Sequence, residues 1–259
     1  MPMHVRDLGS GPPVVFLHPG PGLDGSVFLP GALRVADAGF RVLLVDLPGS
    51  GRSPAGDWTL AGQALAVEDL VTNLGLEDWT LLGHSYGGYV AMQHLVDFET
   101  AARYVASCTD ADEEPPPGVS DERRDEVPPE IAAAFERERS VTTPEECRAV
   151  WRDQLPWFAN DPGAVEPMLD RVVFQPEAHR GHEIGELHAL DALGATDVPV
   201  LAIAGADDRV QPPAMAERIA STAPRGELLV IEDAGHFPFA EQSDRYWPAL
   251  IDWLSRTPA

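Results

Sequence analysis

The residues best equipped for chemistry lie in the stretch 79–90, WTLLGHSYGGYV, where Ser85 stands between Gly83 and Gly87. Leu81 and Leu82 end a short apolar run, and from Tyr86 to Phe98 apolar residues recur at helical spacing. The pattern reads as a buried strand that turns sharply at a serine into a helix. At such a turn the serine backbone is strained, and side chains at the two flanking positions would strike the strand and the helix, hence the glycines. The turn lifts the Ser85 hydroxyl clear of the sheet. It also leaves the first N–H groups of the helix unpaired, where a developing oxyanion can be held. The chemistry implied is nucleophilic attack on a carbonyl, which needs a histidine to take the serine proton and an acid to orient the histidine.

Positioning these groups needs a sheet. Val14 to Leu17, Phe40 to Leu47, Ala101 to Ser107, Val198 to Ala204 and Leu228 to Ile231 read as further buried strands, and Met3 to Val5 as a short possible one before the turn at Gly9 to Pro13. Between them lie helical stripes, such as Leu60, Ala64, Val67, Leu70, Val71 and Leu74, stopped by Gly75. Strand-then-helix alternation predicts a parallel sheet with right-handed crossovers. Pro213 to Thr222 and Asp244 to Arg256 complete the helices of the second half.

GHSYGG after a leucine pair resembles the nucleophile elbow of the α/β-hydrolase family. Other motifs carry the same resemblance in order: His18-Pro19-Gly20-Pro21-Gly22, Asp46-Leu47-Pro48-Gly49-Ser50-Gly51-Arg52-Ser53, the turn Gly205 to Pro212, and Gly235-His236. The first is similar to the HGGPG loop of the proline iminopeptidase-like (prolyl aminopeptidase) branch. The resemblance implies an α/β-hydrolase fold, a mostly parallel sheet of about seven to eight strands flanked by helices. Seven are expected here, because the leading hairpin looks clipped. It implies a core of residues 1–109 and 192–259 and a helical cap, 110–191, roofing the site. The cap stretch is rich in proline, holds half of the chain's acidic residues and shows helical patches at 131–139, 144–155 and 163–173.

By the same resemblance Ser85, Asp208 and His236 are nucleophile, acid and base, each at the carboxyl end of an expected strand. Asp207 and Asp110 stand as alternative acids. Backbone N–H groups of Gly20 and Tyr86 form the oxyanion hole. His18 reads as a structural hydrogen-bonder, and Asp46 and Arg52 as partners shaping their loop. Trp151, Trp157 and Phe158 are candidates for the substrate pocket; of the large cap aromatics, these three and Phe174, about half are expected to face substrate and the rest to form cap core. Glu113 and Glu114 are candidates for holding a free α-amine, as the iminopeptidase-like branch does with cap carboxylates.

Composition narrows the classes. With 42 acidic against 18 basic residues the formal charge is −24, which argues against nucleic acid or an anionic membrane as partner. All the basic residues are arginine, which excludes a Schiff-base lysine, pyridoxal phosphate chemistry and a lysine phosphate loop. Cys108 and Cys147 are too few for a disulfide framework or a cysteine metal site. His179, His182, Glu183 and His188 do not match a zinc spacing, so neither metal nor cofactor is expected. No secretory pattern or membrane span is visible, and a cytoplasmic serine hydrolase acting on a small acyl ester or amide is the expectation. Lactonase, carbon–carbon hydrolase and cofactor-free haloperoxidase chemistry on the same fold, or ligand reception without turnover, stand as alternatives.

Overall fold

The computed structural model describes residues 3–20, 22–116, 119, 127–181 and 186–258. Seven strands form one sheet: β1 (Val5–Gly9), β2 (Pro13–Leu17), β3 (Arg41–Val45), β4 (Thr80–His84), β5 (Arg103–Ser107), β6 (Val200–Gly205) and β7 (Gly226–Ile231). Their order is β1-β3-β2-β4-β5-β6-β7, with β1 antiparallel to β3 and every other pair parallel. The expected seven-stranded sheet is therefore present. The outer strand starts later than Met3 and runs through to Gly9, because it pairs along all of β3, Val5 opposite Val45 and Gly9 opposite Arg41. Its polar residues face outward, and Asp7 meets Arg41 across the pair at 2.8 Å.

The inner strands are buried on both faces, as their predominantly apolar sequences require. Side chains alternate between two cores with the period of two that a strand imposes. Val14, Phe16, Leu44, Leu82 and Ile203 enter one core, and Val15, Leu17, Leu43, Leu81 and Ala202 the other. The second core is roofed by α2 (Leu60–Leu74) and α3 (Tyr86–Asp97), with α8 (Leu190–Ala195) and α9 (Pro213–Thr222). Thr59 caps α2 by accepting from Gly62 N, and Gly75 ends it in a left-handed conformation. The first core is covered by α1 (Gly31–Asp37) and α11 (Ser243–Arg256), whose Tyr246, Trp247, Leu250 and Leu254 point inward.

Between β5 and β6 lie α4 (Pro129–Glu138), α5 (Pro144–Phe158), α6 (Pro162–Leu169) and α7 (Pro176–Gly181). Among the described residues of this stretch there is no strand of the sheet, only an isolated bridge between Asp112 and His188. α5 outruns the expected end at Leu155 and carries Pro156 inside its last turn. Burial supplies the reason: Trp151 and the ring of Phe158, 5.5 Å apart, continue the first core through Phe237. The short α1, α8 and α10 (Pro238–Glu241) were not foreseen, being under two full turns and lacking a periodic stripe.

Candidate active site

Ser85 caps the turn between β4 and α3 with φ 53° and ψ −117°, a combination open to few L-residues. The turn is held by Ser85 N donating to Ser107 O at 2.9 Å and by Thr109 Oγ1 donating to Ser85 O at 2.9 Å. It is tight enough that a Cβ at position 83 would lie 2.1 Å from Gly87 O, and one at 87 would lie 2.3 Å from Leu17 O. Both glycines are therefore dictated by close backbone approach.

The loops after β6 and β7 bring two more side chains to Ser85. His236 Nε2 is 2.9 Å from Ser85 Oγ, and His236 Nδ1 is 2.8 Å from Asp208 Oδ2. A carboxylate only accepts, so Nδ1 carries the proton and Nε2 is free to accept from the Ser85 hydroxyl. The other oxygen of Asp208 takes the backbone N–H groups of Val210 (2.8 Å) and Gln211 (2.9 Å). Asp208 and His236 are 4% and 2% exposed, dry enough for the pair to act at low dielectric. Asp207 points elsewhere, accepting from Asn160 Nδ2 at 2.6 Å, and Asp110 is ion-paired with Arg218.

His18 is wholly buried with Leu47 N donating to its Nε2 (3.1 Å), so its Nδ1 carries the proton and donates to Pro19 O (2.6 Å). Burial pushes its pKa down and keeps it neutral. Asp46 accepts from the backbone of Gly25 and Arg52, while the Arg52 guanidinium faces Asp24 at 3.9 Å. The two loop partners thus meet through the Arg52 backbone and not through its side chain. His84 lies behind His236, ring centres 5.2 Å apart; burial, then the neighbouring His236, hold its pKa well down.

A cavity of about 180 Å³ opens on Ser85 and His236. Pro19, Gly20, Tyr86, Tyr89, Trp151, Phe158, Val210, Gln211 and Phe237 line the rest of it. Trp151 and Phe158 are among the expected pocket aromatics. Trp157 instead lies under the Arg209 guanidinium, 5.9 Å away, and faces a separate outer groove; Phe174 is buried core. Glu113 and Glu114 are not brought to the cavity: Glu113 lies 3.7 Å from His188, and Glu114 offers its carbonyl to Arg218. His182, Glu183 and the side chain of His179 lie outside the described residues.

Among the described residues, Cys108, Asp208 and His236 form the one group of three potential metal donors, their atoms within 4.8 Å of one another. Burial, then the charge of Asp208, push the Cys108 thiol well up, so it stays protonated, and His236 Nδ1 is committed to Asp208. The donor chemistry is that of a hydrogen-bonded cluster and not of a cation site. Cys108 had no sequence signal. Tyr89 had one, since it sits one helical turn beyond Ser85 and must share its face.

A family model described as the alpha/beta hydrolase family matches residues 14–249. A non-heme chloroperoxidase from Kitasatospora aureofaciens is 32% identical over 246 residues, covering 89% of this chain and 87% of that protein. A 2-hydroxy-6-oxononadienedioate/2-hydroxy-6-oxononatrienedioate hydrolase from Pseudomonas is 27% identical over 274 residues, covering 98% and 92%. Among solved structures, a thermophilic esterase from Thermogutta terrifontis superposes with a TM-score of 0.80 at 28% identity, over 99% of this chain and 94% of that one. No helix among the described residues is long and apolar enough to cross a membrane.

Proposed function

The chain belongs to the alpha/beta hydrolase family, and we propose that it is a serine hydrolase of small carboxylic esters, with Ser85, His236 and Asp208 as nucleophile, base and acid. The observation that carries this reading is the unbroken hydrogen-bonded line Ser85 Oγ, His236, Asp208 beneath a mostly apolar cavity. His236 takes the Ser85 proton as the hydroxyl attacks the ester carbonyl, Asp208 stabilises the imidazolium, and the proton passes to the departing alcohol. Water then repeats the sequence on the acyl-enzyme.

The oxyanion hole in this reading is Gly20 N–H and Tyr86 N–H. Gly20 lies against the Tyr86 ring, where a Cβ would come within 3.0 Å, and both residues line the cavity. Each such donor stabilises the transition state by roughly 3 kcal/mol. The helices between β5 and β6 act as the cap, supplying Trp151 and Phe158 as apolar wall.

The ester is preferred to an amino-terminal amide because no carboxylate is among the described residues that line the cavity. An α-ammonium group buried there would be left without a counter-charge, at a cost of several kcal/mol. The iminopeptidase-like resemblance therefore extends to the HPGPG loop and stops short of the amine clamp.

Initial rates on short p-nitrophenyl esters beside proline and alanine arylamides test the proposal. Ester turnover is expected, falling roughly 10⁴-fold or more in Ser85→Ala. Arylamide turnover that requires a free amine would replace the esterase reading with an aminopeptidase.

A further inference from the structure

Three consecutive backbone N–H groups of the loop that carries His236 are held, two of them by one side chain that also binds two N–H groups of the cap junction. Glu241 Oε1 accepts from Gly235 N (3.0 Å) and Phe237 N (3.1 Å), the residues either side of His236. Its Oε2 accepts from Asn160 N (2.7 Å) and Asp161 N (3.2 Å), at the junction of α5 and α6. The backbone N–H of His236 itself donates to Phe158 O at 2.7 Å. The same junction reaches the acid loop, through Asn160 Nδ2 to Asp207. The approach is close: a Cβ at position 235 would lie 2.5 Å from Phe158 O.

We infer that Glu241 and residues 158–161 form a clamp that positions His236 against Ser85 and Asp208. The inference rests on the triad reading and adds Glu241 and Asn160 to it as positioning residues that touch no substrate. A carboxylate suits the place because four donors point at it and it presents only acceptors. The bonds are charge-assisted and fix the backbone on both sides of the imidazole, so a small shift there moves Nε2 relative to the hydroxyl. The clamp also explains why α5 continues through Pro156: Phe158 must reach far enough to offer its carbonyl to His236 while its ring, 5.7 Å from the imidazole, walls the cavity.

Glu241→Gln keeps the shape but sets an NH2 group against two backbone N–H groups, whichever way the amide turns. On p-nitrophenyl acetate kcat should fall roughly 10- to 100-fold, with KM within about twofold of wild type. The downfield proton resonance of the His236–Asp208 hydrogen bond should broaden or vanish, a change that loss of packing elsewhere would not cause. Unchanged kcat with an intact resonance would overturn the clamp. Should Glu241→Gln fail to fold, Asn160→Ala cuts the tie to Asp207 at an exposed position and should lower kcat by about fivefold, the worth of one hydrogen bond; full activity in it would overturn the clamp as well. Ser85→Ala and His236→Ala separate the two readings. Turnover surviving in these would overturn the triad and the clamp together, whereas turnover lost in them and kept in Glu241→Gln would overturn the clamp alone.

Discussion

At the scale of single residues, the Ser85 backbone is held in a strained conformation. Its φ of 53° with ψ −117° costs on the order of 1–3 kcal/mol for a residue with a Cβ. Glycine removes that strain but adds about 0.4–1 kcal/mol of unfolded-state entropy. Ser85→Ala and Ser85→Gly both lose the hydrogen bond to His236, so comparing them isolates the backbone contribution. The glycine variant should be the more stable by about 1 kcal/mol, a Tm higher by roughly 2–4 °C, while both are inert on esters. An alanine variant melting at or above the glycine variant would sink the strain argument. The serine and its two flanking glycines were legible because a steric demand writes itself into residue type. Asp208 and His236 were legible through the resemblance of the turn Gly205 to Pro212 and of Gly235-His236 to family motifs; strand position alone does not separate Asp208 from Asp207. Glu241 was not, since it is read only by backbone N–H groups, and backbone donors leave no trace in a pattern of side chains. Cys108, with φ 46° beside Asp208, was hidden because no motif or spacing marks it.

At the scale of elements, α5 joins local sequence to the site. Thr143 Oγ1 accepts from Glu146 N while Glu146 Oε2 accepts from Thr143 N, a reciprocal cap that satisfies two otherwise orphaned donors. Thr143→Ala should cost about 1 kcal/mol. The loss should appear as roughly fivefold faster amide exchange in the first turns of the helix. Because Phe158 lies at the other end, kcat should stay within about twofold; a large kcat loss would mean that the helix moves as a rigid lever. This helix also marks where element reading ran out. Its start was visible in the helical patch from Pro144, but Pro156 signals a stop, and tertiary gains carry the helix past it: the burial of Trp151 and Phe158 and the bond from His236 N to Phe158 O. The inner strands needed no such help, being buried on both faces; β1, with one partly buried apolar residue on each face, was misjudged in extent because pairing with β3 and not hydrophobicity defines it.

For the whole molecule, two electrostatic demands act in different pH ranges and can be separated. A formal charge of −24 makes the compact state repel itself, and salt should relieve this. Raising NaCl from about 20 mM to about 0.5 M shortens the Debye length from roughly 20 Å to roughly 4 Å and should raise Tm at pH 7.5 by a few degrees. An equal rise in NaBr would assign it to screening and not to surface exclusion; a flat Tm would mean that the excess carboxylates are too dispersed to matter. Acid should not have the same effect. His18, His84 and His94 are buried, and burial is the first cause that lowers the pKa of each. A depressed histidine pKa means that below the ordinary value of about 6.5 the unfolded chain binds protons that the folded protein refuses. Their stabilising contribution is therefore complete above that pH and is lost as pH falls through it, by up to about 1 kcal/mol each at pH 5.5. Asp110, whose pKa burial raises, acts in the opposite sense, binding its proton more readily in the folded protein than in the unfolded chain, and is one group against three. Tm should thus drop between pH 7.5 and pH 5.5 even though the net negative charge shrinks. Replacing His94, which is remote from the site and bonded to Glu68 and Tyr104, by glutamine should flatten that drop by about a third. A Tm that climbs steadily from pH 7.5 to 5.5 would show that charge repulsion, and not the buried imidazoles, dominates in this range.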